Sequence, residues 1–309
     1  MLESCIGQRF DVAVVGAGPA GLAAAVYLAR FLRSVVVFDA GDARALLIPR
    51  TRNCPGFPEG IAGKDLLQRL GRQAKAHGVV IGQARVEGLD KRGRWFRLRT
   101  PSGITTASRV ILATGIVDKA PAIKSLAQAI ANGSVRLCPV CDAYEARGKR
   151  LGVVGNEHLA LKEALFLKDY SPHVAMLFNY PEDVSRAIRD RAARAGIAIW
   201  DRVDDLIPRP PGIMVEMASG APARELDVIY PSMGCDVRSE LATALGADCD
   251  ETGYVRVGEN LESSVPGLYA IGDVAAGLNQ IAVAFGQAAL AATHIHKTFR
   301  SDGVAAESS

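Results

Sequence analysis

The sequence predicts an α/β protein with two Rossmann-like domains of three-layer ββα form. Three observations predict it. Asp11–Val15 is a short apolar run that enters a glycine turn, Gly16–Gly21, and then a helical stretch, Leu22–Arg33. The same order returns at Leu151–Val154, which leads through Gly155 into a helix ending near Lys168. Between the two, Gln83–Thr106 reads as a three-strand meander, the layer that covers the other sheet face. The 309 residues are 49% apolar and 22% charged, enough to bury the cores of two domains of ordinary size.

The first turn carries glycine at Gly16, Gly18 and Gly21, with Pro19 and Ala20 completing it. Glycines here let the backbone turn sharply and approach a pyrophosphate, and the following helix offers free N–H groups and its positive dipole end to that charge. Val35–Phe38 is the next strand and ends in Asp39, placed where an acid accepts hydrogen bonds from an adenosine ribose. Strand, turn, helix and acid together predict a dinucleotide site. Val12–Ala29 is uncharged and long enough to imitate a membrane span, but Gly16, Gly18, Pro19 and Gly21 interrupt it and Asp11 and Arg30 bound it.

The meander follows. Arg94–Arg99 alternates with period two, and Thr100–Gly103 supplies a turn. Lys91, Arg92, Arg94, Arg97 and Arg99 concentrate positive charge here, either as a solvated hairpin or as a docking patch for an acidic protein. Arg109–Ala113 reads as a further buried strand. After the second turn, His173–Phe178 is the expected strand, and the tail after Arg300 is expected to fray. His294 and His296 read as surface or core residues rather than ligands. The net charge of +3 is too mild for a nucleic-acid binder.

Six cysteines in a chain of this length are not a disulfide scaffold. Cys5, Cys54, Cys235 and Cys249 are scattered; only Cys138 and Cys141 form a spaced pair. A redox dithiol, half of a zinc site and two inert core cysteines are the three readings. The redox reading has the chemistry: one thiolate attacks a disulfide and the other resolves the mixed disulfide. No metal is expected. Such a pair fits a reducing compartment, and no secretory leader is recognisable, so a cytoplasmic protein is expected. The sequon Asn132-Gly133-Ser134 has no consequence there.

Further segments carry a resemblance. Ala113-Thr114-Gly115 closes a strand, Gly272-Asp273 follows Gly267–Ile271, and Asn279-Gln280-Ile281-Ala282 comes next. Asn53-Cys54-Pro55-Gly56 forms a loop, and Cys138-Pro139-Val140-Cys141-Asp142 lies in the middle of the chain. In this order they resemble the thioredoxin reductase family, of low-molecular-weight architecture, from about Phe10 to Phe299. The resemblance implies FAD, held by Gly16, Gly18, Pro19, Ala20, Gly21, Asp39, Asn53, Val86, Ala113, Thr114, Gly115, Gly272, Asp273, Gln280, Ile281 and Ala282. It implies a discontinuous FAD domain, 1–117 and 245–309, with an inserted domain, 118–244, carrying the dithiol. It places Cys141 toward the flavin and Cys138 toward a thioredoxin-like protein or small disulfide, makes Asp142 the proton-handling acid, and implies a homodimer. The alternative for Asp142 is a helix N-terminal cap, and the two roles are compatible.

One segment departs from the family. The second turn reads Gly155-Asn156-Glu157-His158-Leu159-Ala160, with Glu157 where a glycine should admit a pyrophosphate. The strand beyond ends in Phe178-Asn179-Tyr180, then Pro181-Glu182-Asp183, with no cation for the NADPH 2′-phosphate. Two lost charge-assisted bonds weaken binding by about two to four decades. The expected donor is therefore not NADPH but an acidic protein such as ferredoxin. An oxygen-dependent dithiol oxidase, a nicotinamide-linked reductase with a rearranged site, and a non-catalytic flavin redox sensor are the alternatives.

Overall fold

The computed structural model describes residues 7–179 and 181–307, so Cys5 and Tyr180 lie outside the described residues. Packing gathers Met1–Leu46, Gly63–Val117 and Val237–Ser309 into one unit, and Leu47–Ala62 with Asp118–Asp236 into a second.

In the first unit the strands are β1 (Arg9–Val15), β2 (Val35–Asp39), β3 (Val80–Gln83), β4 (Gly88–Arg92), β5 (Trp95–Thr100) and β6 (Gly103–Leu112). The helices α1 (Pro19–Arg30) and α2 (Gly63–Ala76) sit between them in sequence. The sheet order is β3-β2-β1-β6-β5-β4. Strands β3, β2, β1 and β6 are parallel neighbours, whereas β6, β5 and β4 are antiparallel. The meander thus begins at Gly88, and the strand expected at Arg109–Ala113 is the upper half of β6. One edge of β6 explains its ten residues: Gly103–Ala107 pairs β5, while Val110–Leu112 pairs a parallel strand, Leu268–Ala270.

Both sheet faces are covered, which is why Val12–Val15 of β1 is an unbroken apolar run. Val12 and Val14 face α1 and the last helix, Ile281–Glu307. Ala13 and Val15 face Phe96 and Leu98 of the meander. Buried Ala20, Ala23 and Ala24 on α1 meet a stripe of Ala284, Ala288, Ala291 and Ala292 on the last helix, and small side chains let the two backbones approach closely. One expectation is corrected. Helix α1 starts at Pro19 and stops at Arg30, because Leu32 takes a left-handed φ of 61°. The last helix extends past Arg300 to Glu307.

The second unit holds a parallel sheet ordered Ala198–Trp200, Val174–Leu177, Leu151–Gly155, Val228–Ser232. Helices Glu157–Leu167 and Arg186–Arg194 belong to the core on one face of this sheet. On the other, an antiparallel sheet of Val203–Arg209, Gly212–Met217 and Arg224–Leu226 closes the third layer.

Candidate functional site

The first glycine turn is built by exclusion. Gly16 has φ +110°, and a Cβ there would lie 2.2 Å from the Ala113 carbonyl oxygen. A Cβ on Gly21 would lie 2.0 Å from the Gly16 oxygen. Gly18 differs: nothing stands within 4 Å of the Cβ it lacks. It N-caps α1 with no side-chain hydrogen bond, and Pro19 fills the first helical position, where a missing N–H costs nothing. The positive end of α1 therefore faces open space over a bare glycine, which suits a pyrophosphate.

Of the other candidates of this unit, Ala113, Thr114 and Gly272 adjoin that turn. Asp39 ends β2, its carboxylate accepting from Gly41 N at 2.9 Å and Gln83 Nε2 at 3.3 Å. Val86 is buried in the segment after β3. Thr114 Oγ1 donates to the Arg238 carbonyl at 2.6 Å, and Arg238 N returns a bond to Gly115 O. Gly272 donates to Gln287 Oε1 at 2.6 Å, and a Cβ on it would lie 2.8 Å from Ala20 Cβ, so this turn abuts the N-terminus of α1. Asp273 pairs with Arg44 at 3.3 Å. Gln280, Ile281 and Ala282 start the last helix, with Gln280 O accepting from Ala284 N. Asn53 falls in the segment that packs with the second unit, where Thr51 Oγ1 donates to its Oδ1 at 2.7 Å. Arg44 was not legible in the sequence: its partner is 229 residues away.

In the second unit Cys138 and Cys141 form a disulfide, S–S 2.06 Å and Cα–Cα 5.3 Å. Cys138 caps the one-turn helix Pro139–Asp142, and Cys141 N donates to Cys138 O at 3.0 Å. Asp142 makes no side-chain capping bond. Its Oδ1 instead accepts from Tyr230 Oη at 3.0 Å, and Arg136 Nη1 donates to its carbonyl at 2.8 Å while standing 3.9 Å from Oδ1. Burial pushes the Asp142 carboxyl up to about 6, with Arg136 and then Tyr230 pulling the other way. The Tyr230 phenol is itself pushed up, by burial and then by Asp142. Tyr230 and Arg136 carried no motif, so sequence reasoning missed both.

The second glycine turn is assembled differently. Gly155 is required, since a Cβ would lie 2.0 Å from the Ser232 carbonyl oxygen. Asn156 then caps the helix Glu157–Leu167, its Oδ1 accepting from His158 N at 3.0 Å. Glu157 Oε2 accepts from Ser185 N at 2.7 Å, and that backbone bond chiefly holds its carboxyl below the usual range. At this helix N-terminus the Asn156 side chain takes one of the free N–H groups, where α1 has no side-chain cap. The stretch beyond Val174–Leu177 itself holds no cation, but one reaches it from elsewhere. Arg189, from the next helix, donates to Pro181 O at 2.7 Å, although its guanidinium is also paired with Asp201 at 2.8 Å.

Register distributes the basic run over the two sheet faces. Arg9, Thr106 and Arg97 are aligned across β1, β6 and β5, with Asp90 beyond Arg97 on β4. Arg92 pairs with Trp95, so Arg9, Arg92, Trp95, Arg97 and Arg99 share one sheet face. The Arg9 and Arg94 guanidiniums each lie 5.1 Å from the Trp95 ring. Lys91 belongs to the opposite face, over Phe96, and donates to Pro266 O. Among the described residues no helix is long and apolar enough to cross a membrane, and no group of three His, Cys, Asp or Glu suits a metal.

Comparison with known proteins gives a consistent likeness. The family model described as pyridine nucleotide-disulphide oxidoreductase matches residues 10–288. A thioredoxin reductase of Treponema pallidum (strain Nichols) is 32% identical over 296 residues, 92% of this chain and 95% of the relative. An Arabidopsis thaliana protein named NADPH-dependent thioredoxin reductase 3 is 28% identical over 283 residues, 85% of this chain and 53% of the relative. Among solved structures, the thioredoxin reductase from Streptococcus pyogenes MGAS5005 superposes with a TM-score of 0.86 at 24% identity, covering 95% of this chain and 99% of that one, a likeness of fold.

Proposed function

Because the chain belongs to the pyridine nucleotide-disulphide oxidoreductase family, as a thioredoxin reductase-like, FAD-dependent oxidoreductase, we propose that it passes electrons through Cys138 and Cys141 to a thioredoxin-like protein or small disulfide, and that its donor is neither NADPH nor NADH.

FAD, when bound, supplies the two-electron exchange that opens and closes the Cys138–Cys141 disulfide. The proposed holders are the Gly16–Gly21 turn for the pyrophosphate, Asp39 for the adenosine ribose, and Gly272 with Asp273 beside the same turn. Arg44 adds a positive charge against Asp273, so the carboxylate there is partly neutralised before any phosphate approaches. In the reduced chain, Cys138 attacks a substrate sulfur and Cys141 resolves the mixed disulfide, reforming the bond seen here. Asp142 holds and returns the proton.

A single observation supports the donor assignment: Asn156 caps the second helix, and the next residue, Glu157, is an ionised carboxylate held by Ser185 N where the first turn has a bare glycine beside its helix. The Arabidopsis relative is named for NADPH, so likeness alone points the other way. A capped N-terminus bearing a carboxylate nevertheless repels the anion that a bare one attracts. An acidic iron–sulfur protein such as ferredoxin fits as donor, and the arginine face of the meander matches it in charge. The test is calorimetric titration of the FAD-loaded protein with NADPH and NADH. Dissociation constants of about 1 mM or weaker are expected, and one near 10 μM would overturn the assignment.

A further inference from the structure

We infer that Tyr230 is a positioning residue of the dithiol centre, which together with Arg136 orients the Asp142 carboxylate for proton exchange with the Cys138 thiol. The inference rests on the proposed role of Asp142 and extends it to two residues that no motif marks.

The geometry is specific. Tyr230 is fully buried in the Val228–Ser232 strand, 88 residues from Asp142, and spends its hydroxyl proton on Oδ1 at 3.0 Å. Arg136 approaches from the segment before the cysteines. Its Nη1 bonds the Asp142 carbonyl and its Nε bonds the Gly133 carbonyl at 3.2 Å, so the guanidinium is braced at both ends. The carboxylate is thereby fixed at Oδ1 and at its own backbone. Three charged or titratable groups face it: Arg136 from that segment, Tyr230 from the strand, and Glu145 from the turn Ala143–Ala146. Burial and Glu145 favour the protonated acid, whereas Arg136 and Tyr230 favour the carboxylate. The opposing effects leave it near 6, close enough to neutrality for an acid that must both take and give a proton.

The step balances as follows. The Asp142 carboxylate takes the proton of the Cys138 thiol, and the resulting thiolate attacks one sulfur of a substrate disulfide. The substrate S–S bond breaks, and its leaving thiolate takes the proton back from Asp142. Cys141 then displaces the substrate's other sulfur from Cys138, losing its own proton to solvent, and that second thiolate leaves. Two electrons have moved from the dithiol to the substrate. The first event requires ionised Asp142, so the rate should fall as pH drops through the carboxyl's pKa.

The test uses full-length protein reduced with dithiothreitol, freed of it, and mixed with 5,5′-dithiobis(2-nitrobenzoate) between pH 5 and 9. Acid quenching and the mass of the peptide containing both cysteines report how fast their disulfide forms. This readout does not depend on the physiological donor. Wild type should show an acid limb with its midpoint near 6. Tyr230→Phe removes the hydrogen bond to the carboxylate, so its midpoint should move up by about one pH unit. Arg136→Gln should move it the same way, and Arg136→Lys should restore part of the shift. Circular dichroism checks that each variant is folded. A Tyr230→Phe profile that superposes on wild type overturns the inference. Asp142→Asn separates the two levels: if it keeps the wild-type acid limb, the fault lies in the role given to Asp142 itself.

Discussion

At the scale of single residues, the two outer glycines and the middle one of the first turn do different things. Gly16 and Gly21 are excluded from carrying a side chain by backbone at 2.2 Å and 2.0 Å, whereas Gly18 faces emptiness at an ordinary φ of −73°. Gly18→Val is therefore expected to fold with unchanged helix content yet bind FAD at least about tenfold more weakly, roughly 1.4 kcal/mol. Gly16→Val should fail to accumulate as folded protein. Absorbance at 450 nm per chain, beside far-ultraviolet circular dichroism, checks both. A second residue speaks on stability. Glu163 has a buried, unpartnered Oε2, and burial lifts its carboxyl from 4.5 to about 7 against a hydrogen bond from Ser232. A folded-state value above the unfolded one gives stability that is fully present below pH 4.5 and lost as pH rises through about 7. Glu163→Gln, neutral throughout, should melt with wild type at pH 4.5. At pH 8.5 it should melt a few degrees higher, a gain of about 1–2 kcal/mol once partial solvation is allowed for. Thermal melts at the two pH values decide it.

At the scale of elements, two helices that begin alike end in opposite chemistry. The N-terminus of α1 carries no side-chain cap, while that of Glu157–Leu167 is closed by Asn156. Asn156→Ala should cost about 1 kcal/mol in chemical denaturation, the usual worth of an N-cap, whether or not NADPH is present. A much larger loss seen only without NADPH would show that the cap and the nucleotide compete for one site. The glycines, the charge at Glu157 and the alternation of the meander are local signals, so these elements were legible in the sequence. The end of α1 was not, because nothing local announces that Leu32 turns left-handed. Nor was the unity of β6, which depends on two different strands sharing one edge. Arg44 with Asp273 and Tyr230 with Asp142 are joined only by tertiary structure, at separations of 229 and 88 residues, and no pattern search along a chain finds them. Arg189 escaped for the same reason, reaching the end of a strand from a different helix.

At the scale of the whole molecule, two units of related design each carry one part of the redox machinery. The first leaves its helix N-terminus without a side-chain cap, the place proposed for FAD. The second caps the corresponding helix with Asn156 and carries the dithiol beside the buried Asp142. The central claim is that electrons enter from somewhere other than a nicotinamide. The most direct measurement is the flavin absorbance near 450 nm after anaerobic mixing, in parallel, with 1 mM NADPH, 1 mM NADH, a dithiol such as dithiothreitol, and photochemically reduced ferredoxin. Dithiothreitol and ferredoxin should bleach it, while both nicotinamides should leave it oxidised over minutes. Rapid and complete bleaching by NADPH or NADH would contradict the account and return the chain to nicotinamide-linked reduction.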